Sequence, residues 1–274
     1  MTTDLFVCPH CGQPLSADRK SYLCPKRHTF DIARQGYVNL LAHRVTSGDH
    51  GDNKQMIAAR RGFLGAGYYA SLQKALAELA VRYAKDGARV LDAGCGECTY
   101  TNGIERRLHD TRVGCEVLGI DISKEALILG ARKNPRLSLA VGTLYHLPLA
   151  NGGIDLLFDV FAPFCEEEYA RVLKEDGIMI MVIPGARHLF GLKRILYKDP
   201  YENEVADTAL SRFTLLEEIK IEEQITVRTA EDLMNLFAMT PYFYRTDPTA
   251  KATLGTHAPL QTEISFHVLV YRRN

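Results

Sequence analysis

The stretch VLDAGCGE, residues 90–97, combines the two features that decide the fold of this chain. Its first half is a short apolar run, which is typical of a buried strand when a glycine follows it. Gly94 and Gly96 then allow the backbone to approach a ligand closely, and the helix predicted from about Tyr100 offers free N–H groups at its start. The stretch therefore predicts a strand, a ligand-binding turn and a helix in succession.

On both sides of this stretch, segments typical of strands and helices alternate. Strands are predicted at residues 88–94, 116–123, 137–143, 154–161, 177–184, 222–228 and 262–273, and helices at 53–83, from about 100, from 124, at 166–174 and at 229–239. Gly65 and Gly67 are expected to divide the first helical segment, with Asp52 or Asn53 as its N-cap. We predict an α/β fold with a seven-stranded, mostly parallel, doubly wound sheet.

Residues 94–97, here called the glycine loop, belong to a D-x-G-x-G-E pattern that begins at Asp92. Dinucleotide sites usually contain G-x-G-x-x-G, and no third glycine occupies the required place. A second acidic residue, Asp121, ends the second predicted strand, 27 residues beyond Gly94. In doubly wound folds a carboxylate at this position accepts hydrogen bonds from ribose hydroxyls. An adenosine-containing cofactor is therefore expected, with an NAD-dependent dehydrogenase as the alternative.

The stretch CPHCGQPLSADRKSYLCPKRH, residues 8–28, carries a second motif. Cys8-x2-Cys11 and Cys24-x3-His28 are spaced like two metal knuckles, with twelve residues between them. Three cysteines and one histidine suit tetrahedral Zn²⁺, and four protein ligands leave no open position, so the zinc is expected to be structural. It would stabilise a segment that is too short to bury its own core. An iron–sulfur cluster is the less suitable alternative, and His10 is expected to be a bystander.

Composition and charge bear on the location of the protein and on the charge of its partner. No run of about 18 apolar residues is present, so no membrane span is expected, and the start MTTDLFVC lacks the features of a secretory signal. Together with an odd number of cysteines, seven, these features predict a cytoplasmic protein with reduced thiols. Residues 1–61 contain nine Lys and Arg against five Asp and Glu, which favours an anionic partner.

Several motifs together resemble known families. VLDAGCGE and GIDIS (119–123), with the order of elements over residues 88–273, are similar to the class I S-adenosylmethionine-dependent methyltransferases. The zinc motif adds to this pattern, as do HTFDIARQGYVNLL (28–41), ARRGFLGAGYY (59–69) and PGARHL (184–189). With them, nearly the whole chain resembles the RlmA (RrmA) family of 23S ribosomal RNA guanine-N1 methyltransferases.

The resemblance implies a zinc-binding RNA-recognition domain at residues 1–45 and an S-adenosylmethionine-dependent methyltransferase domain at residues 46–274. It implies methylation of guanine N1 in hairpin 35 of 23S rRNA by a homodimer. The zinc ligands are expected to be Cys8, Cys11, Cys24 and His28. The family positions and the logic of the fold together give the expected cofactor residues, which are Tyr69, Asp92, Gly94, Gly96, Glu97, Asp121 and His188.

Basic residues of the N-terminal region are candidates for contacts with RNA phosphates. They are Arg19, Lys20, Lys26, Arg27, Arg34, His43 and Arg44. Solvated surface charge is the alternative interpretation of this set.

Asp159 lies at the end of the fourth predicted strand, where a base edge would arrive. We hypothesise that it accepts the proton of guanine N1 or reads the exocyclic amine, whereas a simple strand-end cap is the alternative. Two other functions are possible for the whole chain. One is a class I methyltransferase acting on another RNA or on a small acceptor such as a quinone. The other is a non-catalytic RNA-binding module.

Overall fold

The structure is a computed structural model, and it describes residues 3–42, 53–205 and 207–274. The described residues form eleven strands and nine α-helices, with one 3₁₀ helix at Leu254–His257. The strands are β1 (Ser16–Asp18), β2 (Ser21–Leu23), β3 (Thr29–Asp31), β4 (Tyr37–Asn39), β5 (Arg89–Ala93), β6 (Glu116–Asp121), β7 (Ser138–Val141), β8 (Ile154–Val160), β9 (Leu173–Pro184), β10 (Phe213–Val227) and β11 (Leu260–Arg273). The helices are α1 (Lys54–Gly65), α2 (Ala70–Tyr83), α3 (Thr99–Asp110), α4 (Lys124–Lys133), α5 (Glu166–Val172), α6 (Phe190–Leu196), α7 (Ala230–Ala238), α8 (Tyr242–Arg245) and α9 (Pro248–Thr253).

Eight of the strands form one mixed sheet in the order β10–β11–β9–β8–β5–β6–β7–β4. The six strands from β9 to β4 in this order are parallel to one another, β11 is antiparallel to β9, and β10 is antiparallel to β11. The predicted α/β class and the mostly parallel sheet are therefore confirmed. All seven predicted strands are present, and β4 adds an eighth strand that the sequence analysis missed.

Strand β10 is longer than its sequence pattern predicts. It begins at Phe213 rather than at Glu222, and it pairs with β11 from Phe213↔Arg273 to Val227↔Leu260. Glutamate and lysine side chains in its first half weaken the strand signal in the sequence. They are tolerated because β10 is an edge strand, where charged side chains face solvent.

The two helices that precede β5, α1 and α2, follow the predicted pattern. The side chain of Asn53 accepts a hydrogen bond from the amide of Met56 and caps α1, which ends at Gly65. Gly67 has a left-handed backbone, with φ of 85°, and lies in the turn between α1 and α2. None of the helices within the described ranges is long and apolar enough to cross a membrane.

Both faces of the parallel part of the sheet are buried, but by different parts of the chain. On one face, α1, α2, α3, α4, α6 and α7 pack against alternate strand residues such as Val90 and Leu156. On the other face, the intervening residues, such as Leu91 and Leu157, pack with α5 and with the N-terminal segment, which is defined here as residues 3–42. The N-terminal segment therefore covers part of the sheet that a doubly wound fold would cover with helices.

The N-terminal segment is joined to the sheet by backbone hydrogen bonds as well as by packing. Strand β4 lies parallel to β7, with Val38 opposite Ala140. Phe6 forms a bridge with Leu149, in the connection between β7 and β8. The boundary predicted between residues 45 and 46 lies outside the described residues.

We expect the N-terminal segment and the sheet to unfold together. Phe6 is 1% exposed and its ring packs edge-on against Tyr22 at 5.4 Å. Phe6→Ala should cost about 3–5 kcal/mol of unfolding free energy because it leaves a cavity at this junction. Guanidinium unfolding should be followed by helical circular dichroism, since all described helices follow residue 53, and in parallel by zinc release from the N-terminal segment.

The two transitions should coincide and shift together in Phe6→Ala. Leu23→Ala is the matched control, because Leu23 belongs to the same segment but is 38% exposed, and it should change stability by no more than about 0.5 kcal/mol. If Phe6→Ala left the midpoint of the helical transition unchanged, this expectation would be contradicted.

Candidate functional site

Cys8, Cys11, Cys24 and His28 form one cluster, in which the four ligand atoms all lie within 4.8 Å of one another. Two tight turns present them. In the first turn, the amide of Gly12, whose φ is 71°, donates to the carbonyl of Cys8 at 2.8 Å. In the second, the amide of Arg27, whose φ is 69°, donates to the carbonyl of Cys24 at 2.8 Å.

The distances within this cluster fit a zinc ion. Nδ1 of His28 lies 3.3 Å from Sγ of Cys8 and 3.6 Å from Sγ of Cys11, and Sγ of Cys11 lies 3.3 Å from Sγ of Cys24. The edges of a tetrahedron around Zn²⁺ with such ligands are about 3.5–3.8 Å long. Three soft thiolates and an imidazole are the donors that a structural zinc prefers, so these residues could hold the ion with no open position.

His10 is not a member of this cluster. Its ring lies edge-on to the ring of His28 at 5.2 Å and stacks on Phe30 at 5.7 Å. His10 therefore packs beside the cluster without contributing a ligand, which agrees with its predicted role as a bystander.

The glycine loop lies at the carboxyl end of β5, against the end of β6. Gly94 and Gly96 both have left-handed backbones, with φ of 82° and 55°. A Cβ atom on Gly94 would lie only 2.5 Å from Cβ of Ala162, so only glycine fits there. Oδ2 of Asp121 accepts the amide of Gly96 at 2.8 Å, and its Oδ1 accepts the amide of Ser123 at 2.7 Å. Asp121 thus positions the loop and the turn after β6.

Four carboxylates gather around this loop. Asp92, Glu97 and Asp159 are each 2–3% exposed, and Asp121 lies beside them. Burial raises the pKa of Asp92 to about 7, although a hydrogen bond from the Thr101 hydroxyl lowers it, and the neighbouring carboxylates raise it further. Glu97 accepts a short hydrogen bond from the hydroxyl of Thr99. A site with this charge favours a cationic ligand.

Tyr69 and His188 meet at a second edge of the site. The Tyr69 hydroxyl lies 3.2 Å from Nε2 of His188, and the amide of Ser265 donates to Nδ1 of His188 at 3.3 Å. Burial, with a smaller effect of Lys193, lowers the pKa of His188 to about 3, so the ring is neutral. Because Nδ1 is an acceptor, we assign the proton to Nε2, which then donates to the tyrosine oxygen. The hydroxyl proton of Tyr69 is left to donate to a ligand.

Asp159 ends β8 next to the glycine loop and is 2% exposed. Its Oδ1 accepts the amide of Ala162 at 3.1 Å. Burial raises its pKa to about 7, against the smaller lowering effects of the nearby Tyr169 hydroxyl and of the hydrogen bond from the Ala162 amide. The Tyr169 hydroxyl itself donates to the carbonyl of Pro163 at 3.3 Å. Asp159 thus supports the turn after β8 and carries a carboxyl group that titrates near neutral pH.

Of the predicted cofactor residues, Asp92, Gly94, Gly96, Glu97 and Asp121 lie at the carboxyl ends of β5 and β6. Tyr69, before α2, and His188, after β9, form a separate contact with each other. The zinc ligands form a separate group, since Cys8 and Cys24 pack with the opposite face of the sheet from Tyr69. The predicted phosphate-contacting residues Arg19, Lys20, Lys26, Arg27 and Arg34 are all exposed, whereas His43 and Arg44 lie outside the described residues.

Sequence analysis missed the residues that support His188. Lys193 is fully buried, and its Nζ donates to the carbonyl of Tyr201 at 2.9 Å and to Oδ1 of Asn203 at 2.6 Å. Nδ2 of Asn203 donates to the carbonyl of Gly185 at 3.0 Å and so holds the turn before His188. A single lysine in an amphipathic helix carries no local signal of such a role.

Comparisons with known proteins agree with both parts of this arrangement. The family profile described as "RlmA, N-terminal" matches residues 6–44, and a profile described as "Methyltransferase domain" matches residues 90–177. A relative from Micromonospora griseorubida, named a putative 23S rRNA (guanine-N(1)-)-methyltransferase, is 37% identical over 267 residues, covering 88% of this chain and 87% of the relative. The chain belongs to the RlmA family of 23S rRNA (guanine-N1)-methyltransferases.

Two further members of the RlmA family are similar over most of the chain. The 23S rRNA (guanine(748)-N(1))-methyltransferase of Streptomyces fradiae is 33% identical, with 95% of this chain and 93% of the relative covered. A putative 23S rRNA (guanine-N(1)-)-methyltransferase of Bacillus subtilis (strain 168) is 32% identical, with 77% and 75% covered. S-adenosylmethionine and structural zinc are the groups that the methyltransferase domain and the RlmA zinc ribbon require, and the residues described above fit both.

We expect one zinc ion per chain, bound by the four-residue cluster. Cys11→Ser should remove most of the zinc because a hydroxyl is a poor substitute for a thiolate ligand. Metal content of the purified protein, measured by inductively coupled plasma mass spectrometry, tests this. Cys115→Ser is the matched control, since Cys115 is a free thiol outside the cluster, and it should keep its zinc. Equal zinc in both variants would refute the assignment.

Proposed function

We propose that this chain transfers the methyl group of S-adenosylmethionine to N1 of a guanine in hairpin 35 of 23S rRNA. The observation that carries the proposal is the combination, in one chain, of the RlmA zinc ribbon over residues 6–44 with a methyltransferase glycine loop. A methyltransferase that acts on a small acceptor has no need of a zinc ribbon with exposed basic residues. A non-catalytic RNA-binding module would have no need of an intact cofactor site.

The charges of the site support S-adenosylmethionine as the cofactor. When bound, it supplies an electrophilic methyl group on a sulfonium, and it also carries an ammonium group. Both cations suit the carboxylates of Asp92, Glu97 and Asp121. We assign Asp121 to the ribose hydroxyls, and Gly94 and Gly96 to close approach of the backbone.

We assign Tyr69 and His188 to the methionine end of the cofactor. The neutral His188 ring holds the Tyr69 hydroxyl by a hydrogen bond at 3.2 Å, which directs the phenolic proton toward an acceptor on the ligand. Because burial lowers the pKa of His188 to about 3, the ring stays neutral and keeps this arrangement at pH values well above 3.

In the reaction, the N1 proton of guanine must leave so that the nitrogen can attack the methyl group. We assign Asp159 as the base. Its position at the end of β8 places it next to the glycine loop, and its pKa of about 7 allows it both to accept and to release a proton near neutral pH. N1 lies on the Watson–Crick edge, so the guanine has to be unpaired or extruded before it reacts.

The N-terminal segment is proposed to bind the RNA. Arg19, Lys20, Lys26, Arg27 and Arg34 are exposed and are carried by the zinc-stabilised turns and strands. We also propose the domain division at residues 45 and 46, a homodimer, as the family resemblance implies, and a cytoplasmic location, where ribosomal RNA and reduced thiols occur together.

Primer extension tests the proposed reaction directly. The protein is incubated with S-adenosylmethionine and unmodified 23S rRNA, and reverse transcriptase is then run through hairpin 35. A methyl group on guanine N1 blocks base pairing, so we expect a stop in this loop that depends on the cofactor. A reaction without S-adenosylmethionine is the control. If the protein binds the cofactor but produces no stop, its methyl acceptor is another RNA or a small molecule.

Asp159→Asn should lower the single-turnover rate by about 10²–10⁴, as expected for loss of a general base. The carboxylate is the active form, so the wild-type rate should rise with pH through about 7, and the variant should lose this rise. Asp176→Asn is the control, because this side chain is 86% exposed. A loss below about tenfold, with the pH dependence retained, would leave Asp159 with its structural role in the turn alone.

A further inference from the structure

Phe161 is an exposed aromatic residue that directly follows β8, the strand that carries Asp159. It is 44% exposed, although phenylalanine is among the residue types that are most often buried. A single exposed apolar side chain is ordinary by itself, so the backbone and the neighbours of Phe161 have to show what it does.

The backbone holds Phe161 in this exposed position. Its φ is 58°, in the left-handed region, which is uncommon for an aromatic residue and is frequent at functional sites. Two hydrogen bonds fix the turn. The amide of Phe161 donates to the carbonyl of Val182 on β9 at 3.3 Å, and the next amide, that of Ala162, donates to the buried carboxylate of Asp159 at 3.1 Å.

The same turn lies against the proposed cofactor site on two sides. Ala162 fills the space next to Gly94, where a Cβ atom would come within 2.5 Å of it. The ring of Phe161 lies 5.6 Å from the ring of Phe266. Phe266 in turn contacts Tyr69 at 4.9 Å and His188 at 4.8 Å. Phe161 is therefore the outer member of a ring cluster whose inner members include the proposed cofactor residues Tyr69 and His188.

We propose that Phe161 is the surface on which the target guanine stacks when it is extruded for methylation. The inference rests on the proposed function and assigns this residue as the contact for the acceptor base. An extruded guanine loses its stacking within the RNA, and an aromatic ring next to the methyl donor replaces it. The left-handed turn keeps the ring at the surface in the absence of RNA, so the base meets a preformed contact.

Methylation kinetics on an RNA containing hairpin 35 test this inference. Phe161→Ala should lower kcat/KM for RNA by about 5- to 150-fold, the effect of losing one base–aromatic stack. Phe161→Leu should show a similar loss, because it keeps an apolar side chain but has no ring. Phe161→Tyr should retain activity. The Kd for S-adenosylmethionine should be the same in all of them.

Leu216→Ala is the matched control. Leu216 is also 44% exposed, but it lies on β10, three strands away from β8, and its substitution should leave kcat/KM unchanged. Thermal unfolding of each variant should show that Phe161→Ala and Phe161→Leu remain folded.

A second readout follows the base itself. An RNA with 2-aminopurine in place of the target guanine should fluoresce weakly in complex with the wild-type protein, because stacking on Phe161 quenches the extruded base. The Phe161→Leu complex should be brighter at saturating protein. Equal fluorescence, or an unchanged kcat/KM in both variants, would overturn the stacking role.

The outcomes separate this inference from the proposed function. If the wild type produces the cofactor-dependent stop and the Phe161 variants do so equally well, the function stands and the inference fails. A weaker Kd for S-adenosylmethionine in Phe161→Leu would assign the ring to the cofactor and also overturn the inference. If the wild type methylates no RNA, both the function and the inference are wrong.

Discussion

A mostly parallel sheet has to be buried on both faces, and in this protein a segment of residues 3–42 buries part of one of them. The connection between β7 and β8 contains no helix, and Phe6 and Val38 pack where helices would otherwise lie. Such a short segment cannot form a stable core alone, so its two turns depend on the metal held by Cys8, Cys11, Cys24 and His28. The zinc cluster therefore supports the packing of the sheet as well as the surface proposed to bind RNA.

The chemistry of the site follows from where this sheet places its carboxylates. Asp92, Asp121 and Asp159 come from three neighbouring strands, and burial disfavours the charged form of Asp92 and Asp159 and raises the pKa of each to about 7. Repulsion from the neighbouring carboxylates adds to the rise for Asp92. Asp121 instead accepts two backbone amides, which satisfies its charge. One fold thus gives chemically identical side chains different roles: one orders the glycine loop, and another titrates near neutral pH.

The aromatic residues of the site also differ from one another in burial. Tyr69 and Phe266 are buried and His188, which is half-buried, packs against both, whereas Phe161 extends the same cluster to the surface. The inner rings suit the methyl donor in the proposed function, and the outer ring suits the acceptor base proposed above. Lys193 holds the turn that carries His188, through Asn203, at the cost of burying an ammonium group.

Local patterns in the sequence were enough to predict the zinc cluster, the glycine loop and seven of the eight strands of the large sheet. Each of these features depends on residues close together in the chain. Gly94, Asp92 and Cys8-x2-Cys11 require only turn geometry and strand periodicity to be recognised. The pairing of β4 with β7, the hydrogen bond between Tyr69 and His188, and the support from Lys193 were decided only by the tertiary structure. The first two of these contacts join residues about a hundred positions or more apart. Lys193 supports a turn nearby in the chain, but only its burial in the folded protein turns an ordinary charged side chain into an internal hydrogen-bond donor. The exposure of Phe161 was also decided there, because a strand-end phenylalanine looks like core until the fold sets its backbone in the left-handed region.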